Sequence, residues 1–339
     1  MKDKAFLMVE SFFLVFMVFV SSVFGLELKM SHFMPTKHVQ HIEVMVPFAQ
    51  EVEKATNGRV KITVYSGGVL AKAPDHYDAA ATGIVDFAYV VHGYTPGRFP
   101  LTSVMELPFL FTSAVHGTKV FHQLWKDVPE LAKEHPNVKV CWIWTGDTGQ
   151  LFTTKKMVRS MEDLKGMKIR THSLVLKNTL ERLGAVPVTL PISELYEALQ
   201  KGVIDGCITP WSAIYDFGLH EVVKHATVAN FYVPSFVMVM KDDSFKKLSL
   251  EDQRILDQMM GEKMGLKAAT VYDSAAQLGI DSLKKKGAII YALTKDEQER
   301  WKKAVEDIYS QWVRDMEKKN LPAKKVLEEA QKLSAQYLK

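Results

Sequence analysis

The sequence predicts a two-lobed α/β fold, and three observations carry that prediction. The chain has 339 residues, more than one ordinary core accommodates. From residue 26 to residue 145 its strand and helix patterns run in the order β-α-β-α-β-α-β, which suits a largely parallel sheet. The pattern then restarts, and part of it repeats. Tyr77-Asp78-Ala79-Ala80 followed by Gly83-Ile84-Val85-Asp86 matches Tyr196-Glu197-Ala198-Leu199 followed by Gly202-Val203-Ile204-Asp205 at a constant offset. Upstream, Lys61-Ile62-Thr63 corresponds to Lys168-Ile169-Arg170 in the same strand-before-helix context. The repeat reads as two similarly built lobes facing a shared cleft. Chance similarity of two generic helix-glycine-strand units is the plain alternative.

The first lobe begins with LELKMSHF (26–33), which alternates as a strand until MPTKH breaks it. His38 to Asn57 predicts a helix with Ile42, Met45, Phe48, Ala49 and Val52 on one face, a kink at Pro47 and a stop at Asn57-Gly58. RVKITVY (59–65) alternates cleanly as a strand. Pro74 suits the first turn of a helix that runs to Gly83, and IVDFAYVV (84–91) is apolar enough for a buried strand. After the Pro-rich loop YTPGRFPL, Ser113 to His135 predicts a second long helix and VKVCWIWT (138–145) another buried strand.

The second round opens with a short strand at KKMV (155–158) and a capped short helix at Ser160-Met161-Glu162-Asp163. MKIRTH follows as a strand, then a helix over 173–183 with its stop at Gly184, a helix over 193–202 and a strand over 203–209. NFYVPSFVMVM (230–240) is a strand interrupted by Pro234 that leads back towards the first lobe. A very long helical pattern starts at the Ser249-Leu250-Glu251-Asp252 cap, with bends expected at Gly261 and Gly265. The remainder, including the stretch from Pro322, is amphipathic helix with solvated charged faces.

Bulk properties narrow the function. The chain is 47% hydrophobic and 24% charged, as soluble globular proteins are, and its net charge of +4 is scattered. No block of Lys and Arg interleaved with aromatics stands out, so nucleic acid is not an expected partner. Lys2 and Lys4 precede an unbroken apolar run, SFFLVFMVFV (11–20), and Ser21-Ser22-Val23-Phe24-Gly25 offers small residues for cleavage after Gly25. The run is too short to span a bilayer, so residues 1–25 read as a secretory signal peptide; an uncleaved anchor is the alternative. Cys141 and Cys207 either pair or stand as buried thiols. No GxSxG, GxGxxG, P-loop or CxxC pattern occurs. His38 and His41 lie three apart on one helical face, but no second cluster completes a metal site. Neither a metal nor a cofactor is expected.

One stretch carries chemistry of its own. In LKGMKIRTHS (164–173), Arg170 stands near the end of a short strand, just before His172-Ser173 opens the next helix. A guanidinium there can point into the crevice beyond a strand's carboxyl end, where open α/β sheets bind ligands. Its planar fork fits a carboxylate bidentately. A solvated surface ion pair is the plain alternative.

Together these residues resemble the substrate-binding proteins of tripartite ATP-independent periplasmic (TRAP) transporters. The resemblance rests on the signal peptide, Thr56-Asn57-Gly58-Arg59-Val60 after a helix, MELPFLF (105–111), DLKGMKIR (163–170) and YEALQKGVIDGCITP (196–210), which span nearly the whole mature chain in the family's order. It implies two α/β lobes joined by crossing strands, a long helix spanning both, and closure on a small organic acid. It also implies a periplasmic location and delivery to the membrane subunits of an ion-gradient-driven permease. The family's Arg in the KIR strand, which binds a substrate carboxylate, falls on Arg170. Two positions depart from the pattern: many members carry a second Arg where this chain reads Gly149-Gln150-Leu151, and many carry Asn where it has Thr209, with Trp211 after Pro210.

On this reading residues 26–146 plus 235–274 form the first lobe. Residues 147–234 plus 275–339, with the C-terminal helices, form the second, and the chain is expected to be a monomer. The candidate ligand-binding residues are Arg170, Gln150, His172, Ser173, Thr209, Trp211, Phe231, Tyr94 and Asp147, the last as a ligand or hinge contact. Only Arg170 is a cation near the site, and the Gln150 amide cannot neutralise a second carboxylate. Trp211, Phe152, Phe231, Tyr232 and Tyr94 lie in segments expected to line the cleft, although core packing explains such aromatics equally well. The expected ligand is a monocarboxylate with an apolar or aromatic body. A C4-dicarboxylate receptor, or an exported enzyme acting on an organic acid, is the alternative.

Overall fold

A computed structural model describes residues 25–338, so the expected signal peptide lies outside the described residues apart from Gly25. Eleven strands form two sheets: β1 (Leu26–Ser31), β2 (Val60–Tyr65), β3 (Phe87–Val91), β4 (Val138–Thr145), β5 (Gly149–Thr153), β6 (Lys168–Thr171), β7 (Val186–Thr189), β8 (Gly206–Pro210), β9 (His225–Val228), β10 (Ser235–Lys241) and β11 (Ile289–Ala292). The first sheet has the order β2-β1-β3-β10-β4 and the second β11-β9-β5-β8-β6-β7. The helices are α1 (Val46–Ala55), α2 (His76–Thr82), α3 (Ala114–Asp127), α4 (Pro129–Lys133), α5 (Met161–Leu164), α6 (Leu174–Arg182), α7 (Leu195–Gln200), α8 (Trp211–Asp216), α9 (Asp242–Lys246), α10 (Leu250–Met259), α11 (Glu262–Lys285), α12 (Lys295–Ala304), α13 (Asp307–Glu317) and α14 (Ala323–Tyr337). None of the described helices is long and apolar enough to cross a membrane.

The repeat is architectural. In the first sheet β1 pairs in parallel with both β2 and β3, and in the second β6 does the same with β7 and β8. Asp86 and Asp205 play one role: each carboxylate accepts a backbone N–H of the neighbouring strand, from Lys29 within β1 at 2.7 Å and from Lys168 at the start of β6 at 2.8 Å. Gly83 and Gly202 each end the preceding helix at positive φ, where a glycine costs nothing. This bonding makes Lys29, in β1, the counterpart of Lys168. The sequence match to Lys61 joined β6 to the wrong strand, because generic strand residues carry little positional information.

Two segments cross between the lobes. β4 continues through Gly146 into β5, and β9 continues through Pro234 into β10. They run side by side, with the Gly146 N–H donating to the Pro234 carbonyl at 2.9 Å and the Gly149 N–H to the Tyr232 carbonyl at 2.8 Å. The interruption expected at Pro234 is this crossing. β10 enters the first sheet antiparallel to both β3 and β4.

Other expectations are revised. The strand placed at 155–158 is irregular, and the strand is β5, five consecutive buried residues just upstream. β7, β9 and β11 escaped the sequence pattern; β7 carries Pro187, tolerated because β7 is an edge strand. The helix read over 38–57 is a π-helical stretch, His41–Met45, running into α1. Pro47 sits in the first turn of α1, directly after the π-helical stretch. Val128 leaves helical geometry between α3 and α4. The long helical pattern breaks at Gly261, whose φ is 84°, into α10 and α11. Gly265 is no bend. It lies inside α11 against β4, where a Cβ would stand 2.3 Å from the Ile143 carbonyl oxygen.

α11 is the shared back of the molecule. At 24 residues it is about 36 Å long, and it packs on α3 and β4 of the first lobe and on α8 of the second. α14 lies on α3, while α13 lies against α6 and α14. Cys141 and Cys207 are buried, unpaired thiols in different sheets.

Candidate functional site

The two equivalent strand pairs, β1 with β3 and β6 with β8, end at one cavity. Phe33 follows β1 and His172 follows β6; Val91 ends β3 and Pro210 ends β8; all four line it. The crossing segments add Gly146, Tyr232, Pro234 and Phe236. It therefore sits at the carboxyl ends of the strands, where open α/β sheets place ligands.

Arg170 lines this cavity and is only 2% exposed. Its Nε–H donates to the Leu190 carbonyl at 2.9 Å, which fixes the plane of the guanidinium. No carboxylate among the described residues lies within ion-pair distance of it, although the surface arginines 59, 98, 182 and 300 each have one. A desolvated cation without an anion is costly, so such a group implies a partner that comes from outside the chain.

Neutral polar groups surround the cation. The Tyr94 hydroxyl accepts the Ile192 N–H at 3.0 Å, a bond between the two lobes. Burial raises the Tyr94 pKa against the pull of Arg170, so the phenol keeps a proton to donate. The Thr209 hydroxyl is buried and has no hydrogen-bond partner among the described residues. His38 Nδ1 accepts the Gln40 N–H at 3.1 Å, which places the ring proton on Nε2, 3.4 Å from Asp216 Oδ2. Ser212 donates its hydroxyl to Asp147 Oδ1 at 2.6 Å and its N–H to Oδ2 at 3.2 Å. The rest of the wall is aromatic: Phe33 packs edge-on to Tyr89 at 5.7 Å, and Phe236 stacks on Tyr272 at 5.5 Å.

Of the residues singled out in the sequence, Arg170, His172, Thr209, Tyr94 and Tyr232 line the cavity. The others are placed elsewhere. Gln150 is committed to the crossing: its amide donates to Thr148 and to Asn230 Oδ1 at 2.7 Å and accepts the Ala229 and Asn230 N–H groups at 2.9 Å. Ser173 caps α6 and faces a neighbouring cavity. Trp211 packs on Phe152 at 5.1 Å in the second-lobe core, and Phe231 on Trp301 at 5.1 Å. Asp147 anchors the start of α8 through Ser212. Sequence reasoning missed Phe33, Tyr89, Ser212 and Tyr272. The repeat could have flagged Phe33, which stands after β1 as His172 stands after β6. Nothing local marks Tyr272, which α11 brings in from far along the chain. His41 accepts a bond from His32 at 2.9 Å while His38 faces Asp216, so the helix pair does not converge; no metal-ligand cluster occurs among the described residues.

The buried histidines predict an acid limit to stability. Burial lowers His32 to about 3 and His135 to about 4, and it holds His38 and His92 well below the usual imidazole range. Their folded values lie below the unfolded value of about 6.5, so their contribution is complete above that pH and is lost as pH falls through the folded values. Asp147 and Asp216 act oppositely: burial raises both to about 7, and their contribution is lost as pH rises through that value. Burial also lowers His41, His76, His116 and His122 and raises Glu134 and Asp273, so with eight imidazoles against four carboxylates among the described residues the melting temperature should fall as pH drops from about 7 to about 4. A rise over that interval in thermal denaturation would contradict these protonation states.

Comparison with known proteins places this geometry. Residues 30–315 match DctP, bacterial extracellular solute-binding protein, family 7. A solute-binding protein from Albidiferax ferrireducens is 32% identical over 234 residues, covering 66% of this chain and 67% of that protein. A marine-metagenome TRAP solute-binding protein, described as specific for aromatic acid ligands and solved with metahydroxyphenylacetate, superposes with a TM-score of 0.88 at 29% identity, covering 92% of this chain and 99% of that one. A TRAP solute-binding protein from Rhodoferax ferrireducens, solved with copurified benzoate, has a TM-score of 0.88 at 26% identity, covering 92% and 98%.

Proposed function

Because the chain belongs to bacterial extracellular solute-binding protein family 7, the receptor family of TRAP transporters, we propose that it captures an aromatic monocarboxylate and hands it to a membrane permease. The family consists of solute receptors rather than catalysts.

The observation that carries the reading is Arg170, buried in the cavity without a paired anion among the described residues. A ligand carboxylate pairs with its two free Nη groups, and Tyr94 and Thr209 supply neutral hydrogen bonds beside it. Gln150 spends its amide on the crossing, so no second cation replaces the family's second Arg. A second carboxylate would stay unpaired in a buried site, which disfavours a dicarboxylate. Phe33, Tyr89, Phe236 and Tyr272 offer ring faces and edges to an aromatic body. Two similar solved receptors hold metahydroxyphenylacetate and benzoate, which supports the same choice here.

Calorimetry and thermal shift with benzoate, phenylacetate, succinate and malate test it. An aromatic monoacid should bind one per chain and raise the melting temperature; at 100 times its Kd the gain is about 2.7 kcal/mol. Tighter binding of succinate or malate would overturn the aromatic assignment and leave the receptor assignment standing.

A further inference from the structure

We infer that Glu106, the acidic residue of the MELPFLF motif, is a positioning residue for ligand capture: it clasps the two lobes through His172 and fixes which nitrogen of that ring serves the cavity. The inference rests on reading the cavity as the ligand site.

Glu106 ends a short 3-10 turn, Thr102–Glu106, between β3 and α3, and so belongs to the first lobe. It is 1% exposed and lines the neighbouring cavity rather than the ligand cavity. Oε1 lies 3.4 Å from His172 Nε2, 3.3 Å from the Ser235 hydroxyl and 3.4 Å from the Ser235 N–H. One carboxylate oxygen thus joins the first lobe, the second lobe and the start of β10, where a crossing segment enters the first sheet. Gly93 shows how close the lobes come here: a Cβ on it would stand 2.8 Å from His172 Cδ2, 2.8 Å from Ser173 Cβ and 3.2 Å from Glu106 Oε2.

The polarity of these bonds follows from chemistry. A carboxylate only accepts, so the proton of a neutral His172 is on Nε2. Nδ1 is then an acceptor, and it meets the Tyr232 hydroxyl at 3.4 Å. His172 and Tyr232 both line the ligand cavity, so Glu106 sets the hydrogen-bonding pattern of a wall it does not itself form. The network behind it shares one proton at Ser235. The Leu131 carbonyl accepts from His135 Nδ1 at 3.1 Å and His135 Nε2 accepts from His92 Nε2 at 3.1 Å, while His92 Nδ1 and Glu106 Oε1 lie 3.2 and 3.3 Å from the Ser235 hydroxyl and compete for its single proton. The Ser235 N–H and the His172 ring bond Glu106 whichever acceptor takes that proton. Distances of 3.3–3.4 Å are long for a charged acceptor, so closure on a ligand has slack to take up. Oε2 has no donor among the described residues, and when the lobes part it gains water while Oε1 loses His172. The clasp therefore belongs to the closed state and governs release more than encounter.

Stopped-flow fluorescence on the full chain, with benzoate and succinate as probes, separates the two rates. Glu106→Ala should raise koff at least tenfold and leave kon within threefold, and Glu106→Gln, which keeps the shape, should recover part of the loss. Ring-nitrogen NMR of the parent should find the His172 proton on Nε2. A koff within twofold of the parent in a folded Glu106→Ala protein, or a parent His172 protonated on Nδ1, would overturn the inference. The NMR measurement needs neither a variant nor a ligand, so it decides the matter if Glu106→Ala fails to fold. Absence of binding by both acids would count against the ligand reading alone, and the ring-nitrogen result would still decide the clasp.

Discussion

Arg170→Ala should weaken capture of an aromatic monoacid by about 2–5 kcal/mol, roughly 30- to 5,000-fold. The loss is large because no other Lys or Arg among the described residues lines the cavity, and a desolvated anion without its fork is left unpaired. Arg170→Lys should also bind poorly. An ammonium is a point charge, and it cannot hold both the Leu190 carbonyl and two carboxylate oxygens in one plane. Stability should respond differently from binding. The ligand-free parent buries a cation without an anion, so Arg170→Met, of similar volume, should leave its melting temperature unchanged or raise it. Calorimetry and thermal denaturation on the same preparations check both effects. Binding by Arg170→Ala within threefold of the parent would show that the carboxylate lies elsewhere.

Gly279→Ala should carry the largest stability cost of any single methyl group added to α11. A Cβ at residue 279 would lie 1.9 Å from the Trp211 carbonyl oxygen and 2.7 Å from its carbon. Both are backbone atoms at the start of α8, so no side chain can swing aside. Alanine gains up to about 1 kcal/mol in helix propensity over glycine. Overpacking costs about 1–3 kcal/mol where side chains can yield, and more where backbone must move. The net result should be destabilisation of at least ~1–2 kcal/mol, seen as a melting temperature lower by several degrees. Gly265→Ala meets the same obstacle in the other lobe, against the Ile143 carbonyl and the His122 ring that bonds it at 2.9 Å. A Gly279→Ala protein that melts at or above the parent would refute the close approach of α11 to α8.

What the sequence made legible was local. Arg170 stood out because a strand ending in a cation before a helix start is a complete pattern within ten residues, and the structure places it in the cavity. The repeated aspartates and glycines gave the two lobes away for the same reason. What stayed hidden depended on partners far along the chain. Gln150 looked free for a ligand because Ala229 and Asn230, which occupy it, lie some eighty residues downstream. Tyr232 and Phe231 are neighbours with opposite fates, since successive side chains of an extended segment point to opposite faces, and pattern alone does not say which face holds the cavity. Four consecutive plausible residues at 155–158 outweighed β5 because β5 is defined by the crossing that aligns it with β8 and β9.

The position of β10 has a consequence for the order of assembly. It lies between β3 and β4, yet it is contributed by residues 235–241 of a 339-residue chain. Until those residues exist, β3 and β4 have no hydrogen-bonded link, and the first sheet is two fragments with open edges. The first sheet therefore cannot close before most of the second has been made, and its closure waits for a contact that loops back across β5 to β9; only the edge strand β11 of the second sheet is still to come. Such non-local pairing is slow to form. The nascent chain lacks the strand that joins β3 to β4 until more than two-thirds of the polypeptide has been made.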